Sequence, residues 1–509
     1  MMKKIFSAIV LSLFAAAAAA QGLYVATDKS CYVAGDTAGC SAFCSPGASV
    51  AYIELVSSQG SAARTKLALS NGRGAGTISI PLDAPTGNYR LVSYLPGQTP
   101  DPSSGPVISI FNTLSTDRVN DGVEIVQKAS RTASVSQSGY GFAADIHGDS
   151  LIVRNISGRP VSYCISLYRD DSLQSSERSR SIASFKPSGA GAPSFGEIIS
   201  GWVLGADSAC AGSVILAVPG SRTDCYQCPV QADGSFAVQT ENIYGDVDLV
   251  CIPVGADNTK DCFVALDSPF RCPPAEGLPK LEIFRSMEND LLRRSAEMQR
   301  KAAADTLAVS LPVRGEHFFL EHECTAYILD DYTRFPTMQE VFVELIPNAR
   351  MQRRGGSVSV QVLMETSVMD ASPRWGSAVV MIDGVPVPDG RLVESYDPAL
   401  IKVLEVYPYK YKIGDTEFDG VVNLVTFKGN MPGLLFDDFV RIYSFNGCSF
   451  PVILSGSETL SWLPLEELPA GGSTSVDCSP TQKGAIYTLN VEGITDQGRA
   501  VYFRKTFSR

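Results

Sequence analysis

The sequence predicts a mainly β protein: tandem β-sandwiches, one small α+β domain and a terminal β-domain. Three observations carry this. Apolar runs are short and bounded by Gly, Pro, Asn and Asp, the pattern of strands and turns. The 44 Gly and 30 Pro are spread along the chain, as many short strands require. Only Leu281 to Leu307 has a sustained helical period, with Leu281, Phe284, Met287, Leu291, Met298 and Ala302 near one face and Arg and Glu on the other. At 509 residues the chain is too long for one core, so several domains are expected.

Residues 1–20 read as a cleavable signal peptide. Lys3 and Lys4 precede the apolar run Ile5 to Ala20, and Ala18 and Ala20 fit the small-x-small rule, making Gln21 the expected new N-terminus. The run is shorter than the roughly 20 residues that span a bilayer. No later stretch is long and apolar enough to do so, and no transmembrane segment is expected after cleavage. The formal charge of −12 repels phosphate backbones, which argues against nucleic-acid partners.

Residues 21–113 hold strand candidates at 23–25, 51–56, 76–80 and 89–94, with a turn at 84–88. Thr27-Asp28-Lys29-Ser30-Cys31-Tyr32-Val33-Ala34-Gly35-Asp36 resembles the TDKxxYxxGE opening of macroglobulin-type (MG2) domains, and Pro85 to Leu91 resembles their closing xxGxYxL strand. The resemblance implies an Ig/macroglobulin-like sandwich with Tyr32 and Tyr89 in the core and Gly35 and Gly87 at turns. Strand candidates at 149–154 and 161–167 suggest a second sandwich over 114–192, whose end, from Asp171, reads as a long loop.

Residues 193–275 carry strand candidates at 198–203, 214–220 and 232–238. Their DGxFxV run, Asp233 to Val238, is similar to carboxypeptidase regulatory-like domains, which implies a hairpin turn at Asp233-Gly234 and a core Phe236. A helical connector is expected over 276–310, packing at a domain junction. In 311–440, Thr337-Met338-Gln339-Glu340 is a capping box and Pro347 should end the short helix it opens. Ala378 to Val387, Asp397 to Val406 and Gly420 to Gly429 resemble, in order and spacing, the plug domain of TonB-dependent receptors. Such a plug precedes a large barrel, and the 80 residues after Gly429 are too few to form one. Residues 441–509 read as a terminal β-domain, with strands at 485–491 and 499–507 around a turn at Asp496-Gln497-Gly498. The ordered combination resembles large exported Bacteroidota proteins, which implies a place in the periplasm or at the outer membrane.

Chemistry is sparse. The three histidines are His147, His317 and His322. Glu316-His317-Phe318-Phe319-Leu320-Glu321-His322-Glu323-Cys324 is rich in ligand types, but its histidines are five apart, so they diverge on a helix and oppose on a strand. No G-x-S-x-G, P-loop or Cys-Gly-Glu-Gln thioester run occurs. Glu466-Glu467 and Asp437-Asp438 read as solvated acids. Of the 13 cysteines, Cys225 and Cys228 form a C-x-x-C in what reads as a turn-rich segment. Cys31, Cys40 and Cys44 cluster near the mature N-terminus, open to two readings: buried hydrophobes or local disulfides. Five runs of Asp-Ser/Thr followed by a small or apolar residue, among them Asp171-Ser172-Leu173, resemble the O-glycosylation sequon of exported Bacteroidota proteins. No catalytic, cofactor-binding or metal-binding residue is assigned. The expected function is a non-enzymatic envelope binding or scaffold protein with a protein or glycan partner. The alternatives are an accessory subunit of TonB-dependent uptake, partnered by an outer-membrane barrel, and a metal-dependent hydrolase at His317 to Cys324.

Overall fold

A computed structural model of the chain describes residues 22–115, 117–120, 122–126, 135–174, 182–185, 196–205, 211–220, 224–255, 261–304, 324–364, 374–414, 416–456 and 458–509. The architecture is mainly β, with many small sheets packed as sandwiches, as the strand and turn pattern predicts.

The first sandwich sets Leu23–Thr27, Thr37–Cys44 and Arg73–Ser79 against a larger sheet that runs Cys31–Val33, Val107–Phe111, Gly87–Tyr94, Val50–Ser57, Gly60–Ala68. Tyr32 and Tyr89 are fully buried among Ile53, Leu55 and Ile78. Gly35 has φ +93, a conformation that side chains rarely adopt. Gly87 is needed for space instead: a Cβ there would stand 2.8 Å from the Asn120 side chain.

The second sandwich departs from the expected order. One sheet runs Ser136–Tyr140, Ala500–Ser508, Ile486–Thr495, Val161–Arg169, Thr459–Leu468, and the other runs Phe142–His147, Ser150–Asn155, Ser473–Asp477. Strands expected in two places, 114–192 and 441–509, therefore share both sheets of one sandwich. The cause lies in Val161–Arg169, which is buried along nearly its whole length. Such a strand needs a neighbour on each side, and both come from the end of the chain.

In the third sandwich, Glu197–Gly205 lies between Ser235–Thr240 and Cys262–Leu266. The facing sheet runs Asp224–Pro229, Ser213–Val218, Asp246–Val254, Arg441–Asn446. Phe236 is buried and Gly234 turns at φ +88, as expected. The turn, however, joins two sheets rather than closing a hairpin, because Asp224–Pro229 and Ser235–Thr240 belong to opposite layers. Straight after Arg441–Asn446, Cys448–Ser449 adds parallel to Gly60–Ala68 of the first sandwich. One short run thus stitches the third sandwich to the first before the chain completes the second.

The expected helix over 281–307 is shorter. Leu281–Phe284 is a strand parallel to Val123–Val126, Arg285–Met287 is a 3-10 turn, and only Glu288–Ala304 (α1) is helical. Pairing wins at the start: Leu281 N–H donates to Gly122 O at 2.9 Å, and Leu281 packs with Val33, Phe111 and Leu173. Residues 305–307 lie outside the described residues. The α+β unit has a mixed sheet in the order Thr325–Ile328, Ile401–Tyr407, Gly420–Thr426, Arg374–Ile382, Ser357–Met364, Ala349–Arg354. Met338–Leu345 (α2) opens with the predicted reciprocal cap: Glu340 N–H donates to Thr337 Oγ1 at 3.2 Å, and Thr337 N–H donates to Glu340 Oε2 at 3.2 Å. A short helix, Gly390–Glu394 (α3), packs on Ser357–Met364.

Where the first two sandwiches meet α1, charge is buried. Arg294 is 2% exposed, although the helical period placed arginine on the polar face. Its Nε and Nη2 donate to the two carboxylate oxygens of Asp171 at 2.8 Å each, and Nη1 donates to Cys31 O at 2.9 Å. Arg293 donates to Glu458, to Asp171 Oδ2 at 2.9 Å and to Asp290 Oδ1 at 2.8 Å. Beside them Asp28 accepts from Tyr32 Oη at 2.6 Å, Gly39 N at 2.9 Å and Thr459 Oγ1 at 2.8 Å. Trp462 seals the seam so closely that a Cβ on Gly39 would lie 2.4 Å from its Nε1.

Two predictions follow from this packing. Truncation after residue 458 removes three of the five strands of one second-sandwich sheet and one of the three of the other. The truncated chain should lose cooperative melting of that sandwich in calorimetry, whereas an independent terminal domain would leave it intact. Arg294→Met strands Asp171 without its bidentate partner and should cost about 3–5 kcal/mol in denaturant unfolding, the usual effect of breaking a buried pair from one side.

Candidate functional site

Of the residues that the sequence singles out for chemistry, those that are described do not converge. His317 and His322, with Glu316, Glu321 and Glu323, lie outside the described residues. Cys324 is described; burial pushes its thiol pKa up. His147 is exposed at the end of Phe142–His147. Among the described residues no group of three or more His, Cys, Asp or Glu is placed to hold a metal ion. Glu466, Glu467, Asp437 and Asp438 are exposed. Ser172 of the Asp171-Ser172 run donates to Asp290 Oδ2 and sits inside the buried ion cluster.

The C-x-x-C lies on a strand, Asp224–Pro229, and not in the expected turn-rich segment. Residues three apart on a strand point to opposite faces. Cys228 accordingly packs into the third sandwich core beside Leu216 and Cys251, while Cys225 packs toward Tyr411 and Val421 of the α+β unit. Burial pushes the Cys228 thiol up to about 12, the reverse of a redox-active thiolate. All twelve described cysteines are free thiols; Cys210 lies outside the described residues. Cys40 and Cys44 share one strand and one face, four residues and so roughly 13 Å apart. That is well beyond the about 7 Å that a disulfide spans between Cα atoms. The buried-hydrophobe reading describes both: they pack in the first core.

The Asp383-Gly384 pair of the plug-like motif is structural. Asp383 is fully buried with φ +48, and its carboxylate accepts from Thr426 N at 2.7 Å, Thr426 Oγ1 at 2.6 Å and Met431 N at 2.7 Å. Nearby, Gly384 N–H donates to Asn423 Oδ1 at 3.0 Å and Asn423 Nδ2 donates to Glu405 Oε2 at 3.0 Å. A buried carboxylate that takes three donors from two backbone segments fixes a turn.

What the α+β unit presents is contact surface. A cleft of about 410 Å³ is lined by Asp330, Arg334, Phe335, Pro336, Asp397 and Phe427. It forms where the turn Leu329–Asp331, the chain entering α2 and the end of Gly420–Thr426 meet. Arg334 is the strut: Nε donates to Asp330 Oδ1 at 3.0 Å, Nη1 donates to Pro398 O at 3.0 Å and Ile401 O at 2.8 Å, and its guanidinium lies 5.6 Å from the centre of the Phe427 ring. Phe427 remains 54% exposed. A second cleft of about 150 Å³ lies between Asp389, Arg391, Leu392, Phe436, Asp437 and Phe439. Aromatic edges beside acids suit recognition by contact. Periodicity and motif spacing do not single out Arg334 or Phe427, because their neighbours are brought together only by the fold.

No protein-family model matches the sequence, and no curated protein matches it. Solved structures give loose matches. The native conformation of E. coli alpha-2-macroglobulin is 8% identical, with 96% of this chain and 40% of that chain covered, at a TM-score of 0.24. Salmonella alpha-2-macroglobulin reacted with methylamine is 8% identical over 96% of this chain and 23% of that chain, at a TM-score of 0.16. A tetra-tandem repeat from the extending region of a large adhesion protein is 9% identical over 96% of this chain and 99% of that chain, at a TM-score of 0.14. The chain thus spans less than half the length of these two macroglobulin chains. Superpositions this loose assign neither fold nor function to it.

The opposed C-x-x-C makes a checkable statement. Mild oxidation of the native protein should leave Cys225 and Cys228 alkylatable after unfolding, with no mass change for a bond between them. A Cys225–Cys228 disulfide in peptide mapping would show that the strand is misplaced.

Proposed function

We propose that the chain is a non-enzymatic binding or scaffold protein of the cell envelope, with a protein or glycan partner. The observation that carries this is mechanical. Strands from one return run, 441–449, join the third sandwich to the first, and a buried ion cluster ties the first to the second. The α+β unit is held on this frame: Gly220 N–H donates to Asp383 O at 2.9 Å, and Ala217, Val250 and Ile252 of the third sandwich pack into its core. A braced frame that presents one unit with open aromatic clefts suits a display role. The signal-peptide pattern of residues 1–20 supports export, and no helix among the described residues is long and apolar enough to cross a membrane.

A second reading is favoured by one feature, the plug-like order of Ala378 to Val387, Asp397 to Val406 and Gly420 to Gly429. Under it the α+β unit docks against an outer-membrane barrel as an accessory of TonB-dependent uptake. Cross-linking of the tagged mature protein in native envelope, followed by mild-detergent capture and mass spectrometry, separates the two. Wall or surface proteins as dominant partners are the expected result. A dominant cross-link from 378–429 to a barrel would move the function to uptake. A protein that fractionates with the cytosol would sink both readings.

A further inference from the structure

Among the described residues, the mixed sheet of the α+β unit ends on Ala349–Arg354, with no strand beyond it. Arg354 and Ser357 flank the two-residue loop Gly355-Gly356, whose φ values of +57 and +85 suit a type I′ turn. In such a hairpin the flanking pair is hydrogen-bonded, and alternate pairs after it are not. Arg354, Gln352 and Arg350 therefore spend their backbone groups on Ser357–Met364. An independent contact fixes the same phase: Leu363 N–H donates to Asn348 O at 2.8 Å, one pair further along. Met351 and Arg353 are left with N–H and C=O groups directed away from the sheet, a template for one more strand.

The side chains on this edge decide what can use it. Three arginines lie within five positions here, in a chain of net charge −12: Arg350 and Arg354 on one face of the strand and Arg353 on the other. Arg350 is laid back across the sheet, its guanidinium 4.1 Å from the Trp375 ring centre while Nε and Nη2 donate to Gln361 Oε1 at 3.1 and 2.8 Å, so the exposed charge on the edge is that of Arg353 and Arg354. Arg353 reaches Glu394 at 2.6 Å yet remains 68% exposed. Basic edges commonly guard a sheet against self-association, and here a second copy would set arginine against arginine. An acidic strand meets the opposite sign. We propose that Ala349–Arg354 is a docking edge for an extended acidic segment of a partner protein, which adds to the sheet as a further strand. The proposal rests on the binding reading above and names the chemistry of one partner.

The test uses the full mature chain and an acetylated, amidated peptide of alternating Glu and Val, with a Lys-Val peptide as its control. Fluorescence anisotropy should show saturable binding of the Glu-Val peptide and about tenfold or more weaker binding of the control, as expected for several cross-strand charges. Hydrogen exchange should slow at the Met351 and Arg353 amides when the Glu-Val peptide is bound. Arg353→Ala should weaken binding, and Arg353→Pro, which also removes the outward N–H, should abolish it; proline is tolerated on an edge strand. Should Arg353→Pro not fold, the exchange pattern of the wild type decides alone. Absence of binding at millimolar peptide, equal binding of both peptides, or no slowing at Met351 and Arg353 overturns the proposal. So does a dimer in sedimentation that Arg353→Pro dissolves, which would assign the edge to self-pairing. If envelope partners are still captured by Arg353→Pro, the binding function stands and only this edge is excluded.

Discussion

The arrangement depends on a buried ion pair between Arg294 and Asp171. Both side chains are 2% exposed, so each has lost its water, and only a bidentate geometry with extra donors offsets that loss. Arg293, Glu458 and Cys31 O complete the set, and each comes from a different part of the chain. An apolar contact of equal area would hold these parts together with less demand on geometry. The ion cluster adds selectivity: α1 fits in one register, because any shift would strand a charge. Asp290 shares in it; burial would raise its carboxyl, but hydrogen bonds from Ser172 and Arg293 hold it below the ordinary carboxylate value. Its contribution is present above that range and fades as pH falls through it.

What could be read in the sequence was local. Thr337 and Glu340 announce a cap because the interaction closes within one helical turn. Tyr32, Tyr89 and Phe236 announce core positions because each sits in a short motif whose resemblance implies one, and each motif spans only a strand and its turn. The missed features are those whose partners are far away. Val161–Arg169 shows its burial in its residues but not the identity of its neighbours, which lie at the other end of the chain. Arg294 is one more arginine on an amphipathic helix until Asp171, 123 residues earlier, is brought to it. Leu281–Phe284 fits a helical period and a strand equally well, and pairing with Val123–Val126 decides.

The candidate surfaces follow the same division. Asp383-Gly384 stands out as a motif, yet it serves as a buried turn. The cleft around Arg334 and Phe427 draws only part of its lining from the plug-like runs, and the edge at Met351 and Arg353 depends on which strand of the described sheet has no outer neighbour. A backbone edge in particular is invisible to composition: whether N–H groups point in or out depends on the phase that Gly355-Gly356 sets.

The split second sandwich has a consequence for biogenesis. Its first strands, 136–169, are synthesised long before 459–509, which must supply their neighbours. Throughout that interval Val161–Arg169 has no partner on either flank, and its apolar side chains invite mispairing. The intervening sandwich and the α+β unit can collapse on their own local contacts meanwhile. Closure then waits on the last strands, so folding carries a high contact order and a slow final step. Such an interval would favour a holding chaperone on the early strands, and strands 459–508 act as the bolt that closes the second sandwich.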